Sequence, residues 1–194
     1  MGIGDNQALS HWDLSIIIFF AIILAYSFIV GRNSTLKIII ATYIAILTAD
    51  GFGNILDHFI LSDARLLETP TAFGLESLVI FKILFFVLVV LLVTVRGSFF
   101  VAMDRERSSI LNLATTGTFG FLAAGLITAT IITYISGGGL LSSATEFDLD
   151  ITSNSLLGKM IVENYNIWFS LPAIAFLVMS FVGGEKEEME IVEP

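Results

Sequence analysis

Residues 108–136 read SSILNLATTGTFGFLAAGLITATIITYIS, which is 29 residues without a charged side chain. A helix of this length is about 40 Å long and exceeds the ~30 Å hydrocarbon core of a bilayer. Helices in lipid associate through close approach of their backbones, which small side chains permit. Small side chains form two neighbouring ridges on this helix, so we expect the other helices to pack against it. The predicted helix-packing interface consists of Thr116, Gly120, Ala124, Thr128, Gly125 and Ala129.

The composition places the whole chain in a membrane. Of its 194 residues, 56% are hydrophobic and 14% are charged, and the mean hydropathy is +0.91. Soluble domains usually contain about 25% charged residues. The apolar residues also come in long unbroken runs, which predicts an all-α, polytopic membrane protein whose first partner is the lipid bilayer. The sequence contains no cysteine, which excludes disulfides, thiol catalysis and cysteine-bound metals.

The apolar runs predict one transmembrane domain over residues 1–184 and an acidic tail over 185–194. The expected spans are about 14–30, 36–61, 77–95, 109–136 and 160–182. Apart from Lys37 near its start, the second span is uncharged only over 36–49, which is about 21 Å of helix and too short to cross a bilayer. We therefore expect this span either to continue towards residue 61 or to be short or broken near Gly51 and Gly53.

Basic residues predict the orientation, because Lys and Arg concentrate in cytoplasmic loops. Five spans place six of the nine Lys and Arg residues on one side and three on the other. This asymmetry favours an outside N-terminus and a cytoplasmic C-terminus in a cell membrane. A re-entrant second segment would instead leave four full spans and divide the charges less well.

Polar residues near the end of the second span are the candidate site. Asp50, Asn54, Asp57 and His58 have the spacing of one helix face, and Lys82 on the third span is a possible counter-ion. Ionisable groups inside a membrane are costly to insert and often mark ion or proton paths. The alternative is that this segment lies at the interface, where the side chains simply reach water.

Enzymatic motifs are missing from the sequence. It has two histidines, and it contains neither a nucleophile elbow nor a phosphate-binding loop. We therefore predict no enzymatic activity, no cofactor and no metal. The net charge of −9 also argues against a nucleic-acid partner, since such surfaces are basic.

Residues 12–136 combine a Gly31-Arg32 turn between two spans, a charged linker after the third span, and an Asn112-led helix containing Gly117, Gly120 and Gly125. This layout resembles the colicin V production protein family of small bacterial inner-membrane proteins. It implies a non-enzymatic protein of the bacterial envelope.

Two functions are consistent with these features. The first is assembly with itself, as a homo-oligomer, or with another membrane protein through the small-residue ridges. The second is a small channel or transporter, or a subunit of one, with Asp50, Asn54, Asp57, His58 and Lys82 along the path. In that case small residues and threonines of the 108–136 helix could also line a pore.

Overall fold

A computed structural model describes residues 10–64, 73–97, 109–138 and 155–184. These residues form helices and contain no strand, which confirms the predicted all-α fold. Four helices are long and apolar enough to cross a membrane, and a bent pair makes a fifth if it counts as one span. The chain thus has the helices of a multi-pass membrane protein. The helices are α1 His11–Val30, α2 Arg32–Ala64, α3 Phe73–Arg96, α4 Ser109–Ile135, α5 Leu156–Glu163 and α6 Tyr165–Gly184.

A single residue separates α1 from α2. Gly31 has a φ of 81°, a conformation that residues with a side chain rarely adopt, and its N–H donates to the Ser27 carbonyl at 3.0 Å. The Thr35 hydroxyl donates to the Gly31 carbonyl at 2.9 Å. The chain therefore enters α2 at Arg32, so the polar residues after Gly31 belong to that helix.

The second helix has no break. It runs through Gly51 and Gly53 as far as Ala64, and its membrane-spanning part is Arg32–Leu56. The expected short or broken second span near these glycines therefore does not occur. Gly53 has a packing role instead, because a methyl group there would collide with the aliphatic stem of Lys82 on α3. The missing side chain makes room for a neighbouring helix and does not end α2.

The charge-free helix α4 lies at the centre of the bundle. It contacts all five of the other helices. Of its spanning residues 72% are buried, against 6% of those in α3. The buried core joins Leu122 and Leu126 of α4 to Ile39 and Ile46 of α2. The 108–136 stretch thus organises the other helices, as its small residues suggested.

The two small-residue ridges face other helices of the same chain. Thr116, Gly120, Ala124, Thr128, Gly125 and Ala129 are all buried. A methyl group on Gly120 would lie 2.9 Å from Cβ of Ser27 on α1, and one on Gly125 would overlap the indole of Trp168 on α6. These glycines let α1 and α6 approach α4 closely.

Polar contacts connect helix ends at both ends of the bundle. At one end, the Lys37 ammonium donates to the Gly97 carbonyl, just past α3, at 2.7 Å. At the other, the Asp13 carboxylate, 4% exposed, accepts hydrogen bonds from the Ser155 hydroxyl at 2.6 Å and the Leu157 N–H at 3.0 Å. Asp13 thereby connects the start of α1 to the start of α5.

Candidate functional site

The most deeply buried carboxylate in the described part of the chain is Asp50 of α2, whose side chain is 1% exposed. It lies about 27 Å along α2 from Arg32 and about 9 Å before Leu56, where the spanning part of that helix ends. Its carboxylate is therefore inside the bundle, one to two turns from the end at which α5 begins. Insertion of an ionised group costs roughly 2.5–3.5 kcal/mol at a helix centre, so this position needs compensating contacts.

Tyrosine hydroxyls from two other helices surround this carboxylate. The Tyr134 side chain of α4 interacts with Asp50, and its hydroxyl also donates to the Ile46 carbonyl at 3.4 Å. The charge of Asp50 reaches the hydroxyl of Tyr165, the first residue of α6, which in turn contacts Thr130 of α4. We call Asp50, Thr130, Tyr134 and Tyr165 the Asp50 cluster. It joins α2, α4 and α6 in one polar contact region.

A fifth polar residue, Tyr43 of α2, contacts the backbone of α6 around Pro172. Its hydroxyl donates to the Phe169 carbonyl at 2.5 Å and also faces the Ala173 N–H. These are the two groups that would bond each other in an unbroken helix, and the buried Pro172 lies between them. The Tyr43 hydroxyl is thus inserted into the backbone ladder of α6 at its proline.

The cluster also lies beside the bend between α5 and α6. Helices α5 and α6 meet at Asn164 with an angle of 61° between them, and Tyr165 is the first residue after that bend. The bend thereby places Tyr165 within electrostatic range of the buried Asp50 carboxylate.

The chemistry available here is that of one carboxyl group among neutral hydroxyls. An ionised aspartate only accepts hydrogen bonds, and the single proton of the Tyr134 hydroxyl can be donated either to it or to the Ile46 carbonyl. A protonated aspartate is itself a donor. The cluster therefore offers one carboxyl group that can act as an acceptor or a donor among neighbouring hydroxyls.

The structure places the predicted path residues in different surroundings. Asp50 is buried, whereas Asn54, one turn further along α2, is exposed. The stem of Lys82 lies across Gly53, three residues beyond Asp50, so α3 brings this cation to the same part of α2. The helix includes Asp57 and His58, but the side chains of both lie outside the described residues. The proposed path through these five residues stays a prediction.

Sequence reasoning missed the three tyrosines. The signal available was spacing: Tyr43 and Asp50 are seven residues apart on α2, and Thr130 and Tyr134 are four apart on α4, so each pair shares a helix face. Tyr165 carries no such signal, because its position depends on the bend at Asn164. Tyrosine is also common at membrane interfaces, where it needs no partner inside the protein.

Comparison with known proteins does not identify a family or a function for this chain. No protein-family model, curated protein or solved structure matches the chain.

Proposed function

We propose that this protein is a small proton-coupled membrane transport protein, or a subunit of one, in which the carboxyl group of Asp50 binds and releases the proton. The observation that carries the proposal is the burial of this carboxylate at the junction of α2, α4 and α6, with tyrosine hydroxyls as its neighbours. Intramembrane carboxylates in such positions are typical of proton relays. No enzymatic step is part of the proposal.

The rest of the bundle favours a binding site over a permanently open pore. On the side of Asp50 nearer the start of α2, large apolar side chains such as Ile39, Leu122 and Leu126 fill the described core. Its buried polar residues include the threonines at positions 35, 42, 116 and 128. Transfer across the bilayer therefore requires a rearrangement. Helix α6 is the element suited to it, because it follows the 61° bend at Asn164 and contains Pro172.

Assembly through the small-residue ridges has less support. The six ridge residues already pack inside one chain, so they offer no surface to a second copy or to another membrane protein. A subunit interface would have to use the lipid-facing side chains of the outer helices. Assembly with a second copy or with another membrane protein is compatible with a transport function, but we do not propose it as the function itself.

The proposed setting follows from the distribution of basic residues. Lys37 and the end of α3 meet at one end of the bundle, which is the end predicted to face the cytoplasm. Asp50 and α5 then lie towards the outer face of a bacterial cytoplasmic membrane, and the proton enters from there. The resemblance to the colicin V production protein family agrees with a bacterial envelope location but supplies no site residue.

The test is proton flux in vesicles that contain the purified protein and an internal pH-sensitive dye. After a pH jump, the parent should carry protons faster than protein-free vesicles do. Asp50→Asn removes the titrating group at nearly constant size, and we expect it to reduce the flux to the protein-free level. Glu163→Gln is the matched control, because it removes an exposed carboxylate that is 61% accessible, and it should leave the flux unchanged.

Two results would overturn the proposal. One is a parent protein whose vesicles are no more permeable than empty ones. The other is equal flux in the parent and the Asp50→Asn variant, with both proteins monodisperse in detergent.

A further inference from the structure

An apolar groove opens on the side of the bundle between α1 and α6. Its lining is hydrophobic, in contrast to the polar Asp50 cluster. It has a volume of about 550 Å³, within the ~300–1,000 Å³ range of ligand pockets. Phe20 and Ala21 of α1 form one wall, Trp168 of α6 forms the other, and Phe121 of α4 forms the floor. The amide of Asn164 is the main polar group in the lining, and it already donates to the Met160 carbonyl at 2.8 Å.

Helix α5 closes one end of this groove. It starts at the Asp13 carboxylate on α1 and ends at the bend that leads into α6, so it bridges the two walls. Its Met160 side lines the groove, whereas Lys159 and Glu163 lie 3.9 Å apart and are more than 60% exposed. A short amphipathic helix of this kind lies in the plane of the membrane interface. The groove beneath it is therefore at the depth of the acyl chains.

An apolar groove at that depth could be occupied by water, by a helix or by an acyl chain. Water would find the Asn164 amide as its main hydrogen-bond partner there, too few partners for an ordered water, and an empty groove would forfeit the dispersion contacts of its whole lining. A membrane-spanning helix of another protein, or of a second copy, would have to pass through α5, which crosses the end of the groove. An acyl chain can enter sideways between α1 and α6 and end beneath α5.

We propose that this groove is a lipid-binding site that holds one acyl chain of a bilayer phospholipid against Trp168. The proposal does not rest on proton transfer at Asp50. The fluorescence of the Trp168 indole can report binding, because the chain has only one other tryptophan, Trp12, and that residue can be replaced. The rings of Phe20 and Phe121 lie 6.5 and 5.7 Å from that of Trp168, so all three aromatic side chains would contact the bound chain.

The experiment uses the full chain carrying Trp12→Phe in phosphatidylcholine vesicles with dibrominated acyl chains, which quench tryptophan on contact. We expect quenching of Trp168 to fall about twofold when Ala21→Phe fills the groove, because hydrocarbon is then excluded from one side of the indole. Ala25→Phe is the matched control. It makes the same change one turn along α1, at an exposed position outside the groove, and should leave quenching unchanged.

A second measurement separates the possible occupants. Native mass spectrometry of the detergent-solubilised protein should show a retained phospholipid in the parent and in Ala25→Phe, and its loss in Ala21→Phe. If Ala21→Phe is not monodisperse, the smaller Ala21→Leu takes its place in both measurements. Equal quenching in the plugged and control variants would refute the site. A dimer mass that Ala21→Phe converts to a monomer would instead assign the groove to a second copy.

Discussion

Replacing Gly125 with alanine tests the central packing contact of the bundle. The added methyl group would overlap ring atoms of the Trp168 indole. That indole also packs against the rings of Phe20 and Phe121, so a shift that relieves the overlap disturbs these contacts too. We therefore expect an overpacking cost of about 1–3 kcal/mol. Alanine is also the better helix former by ~1 kcal/mol, which offsets part of this cost.

The net expectation is a loss of about 1–2 kcal/mol in unfolding free energy. For a chain of this size it corresponds to a melting temperature lower by ~2–8 °C, measured as the protein remaining monodisperse in detergent after heating. Gly51→Ala is the matched control, since nothing lies within 4 Å of a methyl group there. This control should gain about 0.5–1 kcal/mol from helix propensity alone.

The comparison between the two glycines decides the outcome. If Gly125→Ala is as stable as the parent while Gly51→Ala is stabilised, Trp168 does not rest on α4 and the packing described above is incorrect. If Gly125→Ala is destabilised, adding Trp168→Phe should recover part of the loss, because the smaller ring leaves room for the methyl group.

Three further substitutions test single contacts, each by thermal stability in detergent. Asp13→Ala removes the acceptor of the Ser155 and Leu157 hydrogen bonds and should cost about 2–4 kcal/mol; an unchanged melting temperature would mean that α5 is not held by α1. Tyr43→Phe keeps the ring but removes the hydroxyl. We expect the unfolding free energy to fall by about 1 kcal/mol and amide exchange around Ala173 in α6 to become faster. Unaltered exchange would contradict the contact between the hydroxyl and the α6 backbone. Gly31→Ala forces a side chain into positive φ and should cost about 1–2 kcal/mol, unless the turn has another conformation.

Much of the fold could be predicted because lipid leaves few choices to a backbone. A charge-free run such as 108–136 has to be helical in a membrane, and its small residues identify it as the helix that others approach closely. The second helix was harder to predict. Glycine at positions 51 and 53 is ambiguous in sequence, since the same residue that weakens a helix also lets a neighbour such as Lys82 pack across it.

Of the candidate site, only the central residue, Asp50, could be predicted from the sequence. A lone carboxylate at the end of an apolar run is recognisable as costly, so Asp50 was identified from its position. Its actual neighbours, Tyr134 and Tyr165, come from helices far away in sequence. Their meeting depends on how α4 and α6 cross, and no local pattern encodes that crossing.

The packing of α6 and the composition of the Asp50 cluster have one physical cause. Trp168 lies over Gly125 because that residue has no side chain, and Tyr165 is three residues earlier on the same helix. The close approach at Gly125 therefore brings the tyrosine hydroxyl near Thr130 and within reach of the Asp50 charge. A larger residue at 125 would push α6 outward and move Tyr165 away from the carboxylate. The small residues of α4 thus allow α6 to approach closely enough for Tyr165 to join the Asp50 cluster.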